Sequence, residues 1–237
     1  FFAIRLLPGI RSGISISILW FILLELLTSL QNAQSNGLIA GLIILSFSMF
    51  EKRKFAMATL LIVISVYIKL FGLVAFALIL LYDKKWKSML YTAGWFVVLA
   101  ALPLIFVSFE QLLLLYQSWF NLLSMDHAVS DGLSIMGWLN AWSGWSSAKG
   151  IVLIAGCVIF LVPLLKTRSY SNIYFRFLLL SSILIWMVIF NHKAESPTFV
   201  IAMTGVAIWY FVKPQPTWWE HGLLLSALLL TSLGSTD

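Results

Sequence analysis

The basic residues of this chain follow an alternation that few folds can satisfy. Twelve of its 15 Lys and Arg residues stand in every second gap between apolar segments. They are Arg5 and Arg11; Lys52, Arg53 and Lys54; Lys84, Lys85 and Lys87; Lys166, Arg168 and Arg176; and Lys213. The intervening gaps carry only Lys69, Lys149 and Lys193. Those gaps also hold Gln31, Asn32, Gln34, Asn36, Asp126, His127, Asp131, His192 and Glu195. Positively charged loops stay on the cytoplasmic side of a membrane. A chain with this pattern threads a bilayer repeatedly, and its candidate chemistry collects on the opposite, outer face. Composition agrees: the chain is 61% hydrophobic and 10% charged, against about 25% charged residues in soluble domains. The net charge of +6 is spread over separate loops. That argues against nucleic acid as a partner and for contact with membrane lipids.

Apolar stretches run over 14–30, 37–50, 55–68, 70–82, 88–107, 150–165, 173–190, 197–212 and 221–234. This predicts an all-α, polytopic transmembrane bundle of about nine apolar helices. Several are shorter than the roughly 20 residues of a perpendicular span, which bundle packing or local thinning tolerates. The stretch 55–82 decides the topology. As one helix it is about 42 Å long and puts Lys52–Lys54 and Lys84–Lys87 on opposite sides. As a hairpin of two short helices it keeps both basic loops on one side and lifts Lys69 to the other. The hairpin is the better reading, with Gly72 letting the backbone turn. Residues 108–149 form one long outer loop, functional by its length, in which 110–125 lies in or dips below the interface. Pro197 suits the first turn of the next helix, and Ser196 its cap. The first residue is Phe, with no charged leader and cleavage site. Residues 1–237 therefore read as a single integral membrane domain that has lost its natural N-terminus.

Each candidate functional residue has two readings. Ser35 or Asn36 caps the helix that follows. Alternatively, Gln34 and Asn36 present amides, donor and acceptor together, to sugar hydroxyls or a phosphate. Lys69 either snorkels to the headgroups or binds an anion at the membrane surface, because topology asks nothing of it there. Glu25 is a paired or neutral acid of the bundle, or a carboxylate facing a cavity. Asp126, His127 and Asp131 share one loop, and His192, Lys193 and Glu195 another. Each set is plain solvated polarity, or supplies a base or divalent-ion ligands. Trp119, Trp138, Trp142 and Trp145 form an interfacial aromatic belt or stack on sugar rings. The single Cys157 forms no intrachain disulfide. No HExxH, nucleophile elbow or phosphate-cradling glycine loop occurs, so hydrolase, kinase and nucleotide-binding readings lack support.

Four short motifs in order carry a resemblance: Ala33-Gln34-Ser35-Asn36; the basic turn Glu51-Lys52-Arg53-Lys54; Lys69-Leu70-Phe71-Gly72; and Lys84-Lys85-Trp86-Lys87. With Ser134 in Asp131-Gly-Leu-Ser134, and Ser196-Pro197 before a helix, the chain resembles glycosyltransferase family 87. That family comprises the polyprenyl-phosphate-mannose-dependent mannosyltransferase-like proteins of the GT-C superfamily. Ala33 stands where the family motif has glycine, and Gly72 where it has proline. The resemblance implies a GT-C-like fold and transfer of a hexose, mannose by the family's habit, from a polyprenyl-phosphate donor. The acceptor is a cell-envelope glycan or lipid on the outer, periplasmic face of the plasma membrane. It implies that Gln34, Asn36, Lys69, Ser134, His192, Lys193, Glu195 and Ser196 bind the donor's phosphate and sugar. It places the catalytic acid ahead of Phe1, leaving Asp126 and Asp131 as weaker candidates in this chain. No metal ligand set is evident, although a divalent cation is compatible. A flippase for lipid-linked sugars and a non-catalytic scaffold subunit are the alternatives. The former usually shows inverted repeats, and none is visible here.

Overall fold

A computed structural model describes residues 2–125, 133–144, 149–191 and 194–233. Every regular element among them is helical. In chain order these are α1 (Phe2–Arg5), α2 (Ser12–Phe21), α3 (Leu23–Gln31), α4 (Asn36–Glu51), α5 (Phe55–Ile68), α6 (Lys85–Ala101), α7 (Phe109–Met125), α8 (Ile135–Ser143), α9 (Lys149–Leu161), α10 (Ile173–Ile189), α11 (Phe199–Phe211) and α12 (Trp218–Ala227). A 3-10 helix, Leu70–Leu81, stands between α5 and α6. The core is built by α4, α5, this 3-10 helix, α10 and α11. Ile43 and Phe47, Ile62, Leu78, Leu180 and Leu184, and Ile208 are all fully buried there.

By length and composition one helix can cross a membrane, Lys85–Ile105. The pair α2 and α3 passes the same test only when taken together. The remaining apolar helices are shorter, and the surface explains how they fit the expected bundle. Trp86, Leu90, Val97 and Val98 of α6 are exposed, as are Ile151, Ile154 and Ile159 of α9. That much contiguous apolar surface suits lipid rather than water.

The stretch 55–82 is a hairpin, as expected. Arg53 Nη1 lies 3.0 Å from Asp83 Oδ2, so both basic turns share one end of the bundle. Lys69 stands at the other, in an extended conformation (φ −149°, ψ 129°). The second arm was not foreseen as a 3-10 helix. At about 2.0 Å rise per residue, 12 residues reach about 24 Å, whereas an α-helix of that length reaches about 18 Å. The tighter winding lets 12 residues run back along the length of the 14-residue α5, about 21 Å.

Gly72 does not turn the chain. Its φ is not positive, and Lys69 makes the reversal. A Cβ on Gly72 would stand 2.6 Å from Ser65 Oγ and 3.0 Å from the Ser65 carbonyl carbon, so the glycine lets the two arms touch. Gly205 does the same between α11 and α10, where a Cβ would meet Ser181 O at 2.8 Å. Helices in lipid gain little from hydrophobic burial against one another, and close backbone approach takes its place.

Other expectations are corrected. The apolar run 14–30 is two helices, α2 and α3, bent by 54° at Ile22, with no proline or glycine at the bend. Within 108–149 the described residues form α7 and α8, and Ser134 caps the latter. Neither Ser35 nor Asn36 caps α4 through its side chain. Ser196 is the first residue of a 3-10 turn rather than its cap. The cap is Glu195, in a reciprocal capping box with Thr198.

Candidate functional site

Three chain reversals meet at the end of the bundle away from the basic turns. The first closes α3. Gln34 N donates to Ser29 O at 2.9 Å, the 6→1 bond of a Schellman motif. That motif puts Ala33 in the left-handed region at φ 50°, where glycine is preferred and an L side chain costs about 1 kcal/mol. This turn aims Gln34 inward. Ala33→Gly, which puts the residue suited to this left-handed turn in place, is expected to raise stability by about 1 kcal/mol and Tm by about 2–4 °C. A thermal melt of the variant checks it, and a lowered Tm would show the turn to be unstrained.

The second reversal is Lys69. Its Nζ donates to Gln34 Oε1 and to Asn36 Oδ1, each at 2.8 Å. The third is the Glu195–Thr198 turn that opens α11. Asn36 Nδ2 donates to Pro197 O at 2.9 Å and to Gln34 Oε1 at 3.0 Å. Gln34 Nε2 donates to Glu195 Oε2 at 3.2 Å. Asn36, 0% exposed, thus touches all three reversals. A carboxamide suits this position because it donates and accepts at once without bringing a charge. Lys69 supplies the charge. Partial burial lowers its pKa from the ordinary lysine value, and the carboxylate of Glu195 opposes that shift.

Beside this cluster lies a cavity of about 760 Å³. Gln34, Lys69, Asn191, Glu195 and Thr198 form its polar edge. Phe71, Trp119, Leu123, Met136, Trp186 and Phe190 continue into an apolar wall. Lys69 Nζ also lies 5.7 Å from the centre of the Phe71 ring. The wall is braced by α9. Trp186 Nε1 donates to Gly156 O at 2.9 Å, and a Cβ on Gly156 would strike the Phe190 ring. The site therefore joins one cation and several amides to a large aromatic surface.

Gln34, Asn36, Lys69 and Glu195 come together here. Ser134 does not line the cavity. It is 2% exposed, and its Oγ accepts from Gly137 N at 3.2 Å, capping α8. Its neighbour Met136 lines the wall instead. Ser196 is buried in the 3-10 turn and is likewise not on the lining. His192, Lys193, Asp126, His127, Asp131 and Trp145 lie outside the described residues. Trp138 and Trp142 stack on each other at 4.8 Å, away from the cavity, whereas Trp119 is part of it. Glu25 is 1% exposed, with one carboxylate oxygen lacking a hydrogen-bond partner, and does not line the cavity. No group of three or more His, Cys, Asp or Glu that could hold a metal occurs among the described residues.

Sequence reading missed Thr198, Asn191 and the pair Trp186 and Phe190. The aromatic pair had a signal, spaced i, i+4 at the end of α10, and its rings stack at 5.2 Å. Thr198 had a weaker one. It follows Glu195 by three residues, the reverse of the usual capping-box order.

Among known protein families, the model of glycosyltransferase family 87 matches residues 2–190. No curated protein and no solved structure matches the chain. The matched range contains Gln34, Asn36 and Lys69 and stops short of Glu195 and Thr198.

Proposed function

This chain belongs to glycosyltransferase family 87, and on that premise we propose that it moves a hexose, mannose first among candidates, from a polyprenyl phosphate to a cell-envelope glycan or lipid. Membership makes glycosyl transfer the activity class and a sugar donor and acceptor the reactants. The finer reading rests on one observation: the only lysine outside the basic turns that the structure describes in full sits at the polar edge of a large apolar cavity. A lipid phosphate has that same division. Its anionic head would meet Lys69, Gln34 and Asn36, and its chain would run along Phe71, Trp119 and Phe190.

In the reaction, the bond between the sugar's anomeric carbon and the phosphate oxygen breaks. A bond from that carbon to the acceptor hydroxyl oxygen forms, and the hydroxyl proton passes to a carboxylate base. The leaving phosphate gains negative charge as the bond breaks, and a preorganised cation beside it lowers the barrier. Lys69 has this role. Gln34 and Asn36 hold its ammonium in place before the donor arrives, so little reorganisation is needed. Glu195 orients Gln34 and balances the lysine charge while the site is empty. No nucleotide is required.

The polar end faces away from the basic turns, so positive-inside orientation puts the reaction on the outer face of the plasma membrane. The test is transfer of radiolabelled sugar from polyprenyl-phosphate sugars in right-side-out and inverted vesicles. Transfer is expected where the donor has access to the outer face. Movement of the lipid-linked sugar between leaflets with no transfer to any acceptor would replace the enzyme by a flippase.

A further inference from the structure

The opposite end of the bundle carries a second amphiphilic feature. A groove of about 420 Å³ runs between α5 and α6, within the roughly 300–1,000 Å³ of small-molecule sites. Its rim is Arg53, Lys54 and Lys87, and no acidic residue is among the described residues that line it. Asp83, just outside, is taken up by Arg53 at 3.0 Å. Below the rim the walls become apolar. On α6 the stripe Lys87, Tyr91 and Trp95 descends at i, i+4 and i+8, one face of a helix. On α5 the matching stripe is Met57 and Leu60. Lys87 Nζ lies 5.6 Å from the Tyr91 ring centre, and Trp95 Nε1 donates to Ala56 O at 2.9 Å, tying the two helices together.

We infer that this groove binds an anionic glycerophospholipid from the leaflet opposite the proposed donor site. The cations sit where headgroup phosphates lie, the stripes run in the direction of acyl chains, and α6 beside the groove is exposed along its length. Basic pockets between helices on the cytoplasmic side are a recurrent home for such headgroups. A charge cluster serving topology alone does not need an apolar groove between two helices beneath it. The occupant clamps α5 to α6, and α5 ends at Lys69.

The test needs no sugar transfer. Dilauroyl phosphatidylglycerol, its phosphatidylcholine counterpart, and glycerol 3-phosphate are each titrated into the purified full chain in neutral detergent, and thermal unfolding is followed. The anionic lipid is expected to raise the midpoint saturably. Each neutralised cation near the surface lowers affinity about fivefold, so Lys54→Gln with Lys87→Gln is expected to weaken it about twenty-five-fold. Lys166→Gln, an exposed basic residue away from the groove, leaves it unchanged. These are solvent-exposed changes, and the double variant's unliganded melt shows that it folds. Equal stabilisation by phosphatidylcholine, or equal weakening by Lys166→Gln, overturns the site. Stabilisation by glycerol 3-phosphate at the same concentration overturns the lipid in favour of a free phosphate.

Discussion

Lys69→Ala is expected to lower kcat/KM for sugar transfer by about 10²–10³, the scale of losing one preorganised donor to a developing anion. Stability is expected to fall as well, by about 1–3 kcal/mol, because the buried Asn36 Oδ1 loses its donor, so rates are compared on folded protein. Lys69→Arg keeps the charge but replaces a compact ammonium with a planar fork that does not fit two amide oxygens 2.8 Å from one nitrogen. It is expected to recover part of the activity. The pair also separates on the alkaline side. Burial lowers the pKa of Lys69, so the charged form is complete at low pH and is lost as pH rises through the lowered value. Donor binding by the wild type therefore weakens before the ordinary lysine range of about 10.4, and the arginine variant shows no such limb. A loss of less than tenfold in Lys69→Ala would remove the lysine from the reaction.

Asn36→Leu is expected to be the most damaging single change to the site's framework, costing about 2–5 kcal/mol. Its buried amide joins α4, the Lys69 reversal and the turn before α11 through three hydrogen bonds. Leucine fills similar volume but leaves Pro197 O buried without a donor and Lys69 without one of its acceptors. Each orphaned buried group costs about 1–3 kcal/mol. Denaturation in detergent measures the loss, and hydrogen exchange at 194–200 locates it. A variant as stable as the wild type would mean that water reaches Pro197 O and that Asn36 is not the junction.

The hydrogen-bond pattern also shows why the two changes differ in kind. Lys69 stands at the cavity edge, where its charge faces the ligand space. Asn36 stands behind it, where every polar atom is spoken for by protein. The first variant is therefore read by rate and the second by stability.

Much of the fold was legible because its cause is local. Basic residues and apolar runs alternate, so the two ends of each helix were assigned before any contact was known. The hairpin at Lys69 followed from charge alone, and Arg53 paired with Asp83 confirms it. Gln34, Asn36 and Lys69 stood out in the sequence because polar groups beside long apolar runs need a reason to be there, and the structure brings their side chains together. The bend at Ile22 was not, because no proline or glycine marks it. Nor was the role of Gly72, since the same glycine permits a turn or a close approach and only its neighbour Ser65 tells which. Ser134 and Ser196 were misplaced for a related reason. A hydroxyl can cap a helix or line a site, and the sequence does not say which way it points.

The sequence by itself determined a helical chain with most of its cations at one end and Lys69 among the few at the other, because hydropathy and charge act residue by residue. Only the tertiary structure decided that Lys69 shares two amide oxygens with Gln34 and Asn36, and that Glu195, more than 150 residues from Gln34, completes the set. Those contacts depend on how closely α4, α5, α10 and α11 pack, and in lipid that is set by the fit of small residues such as Gly72 and Gly205 rather than by hydrophobicity.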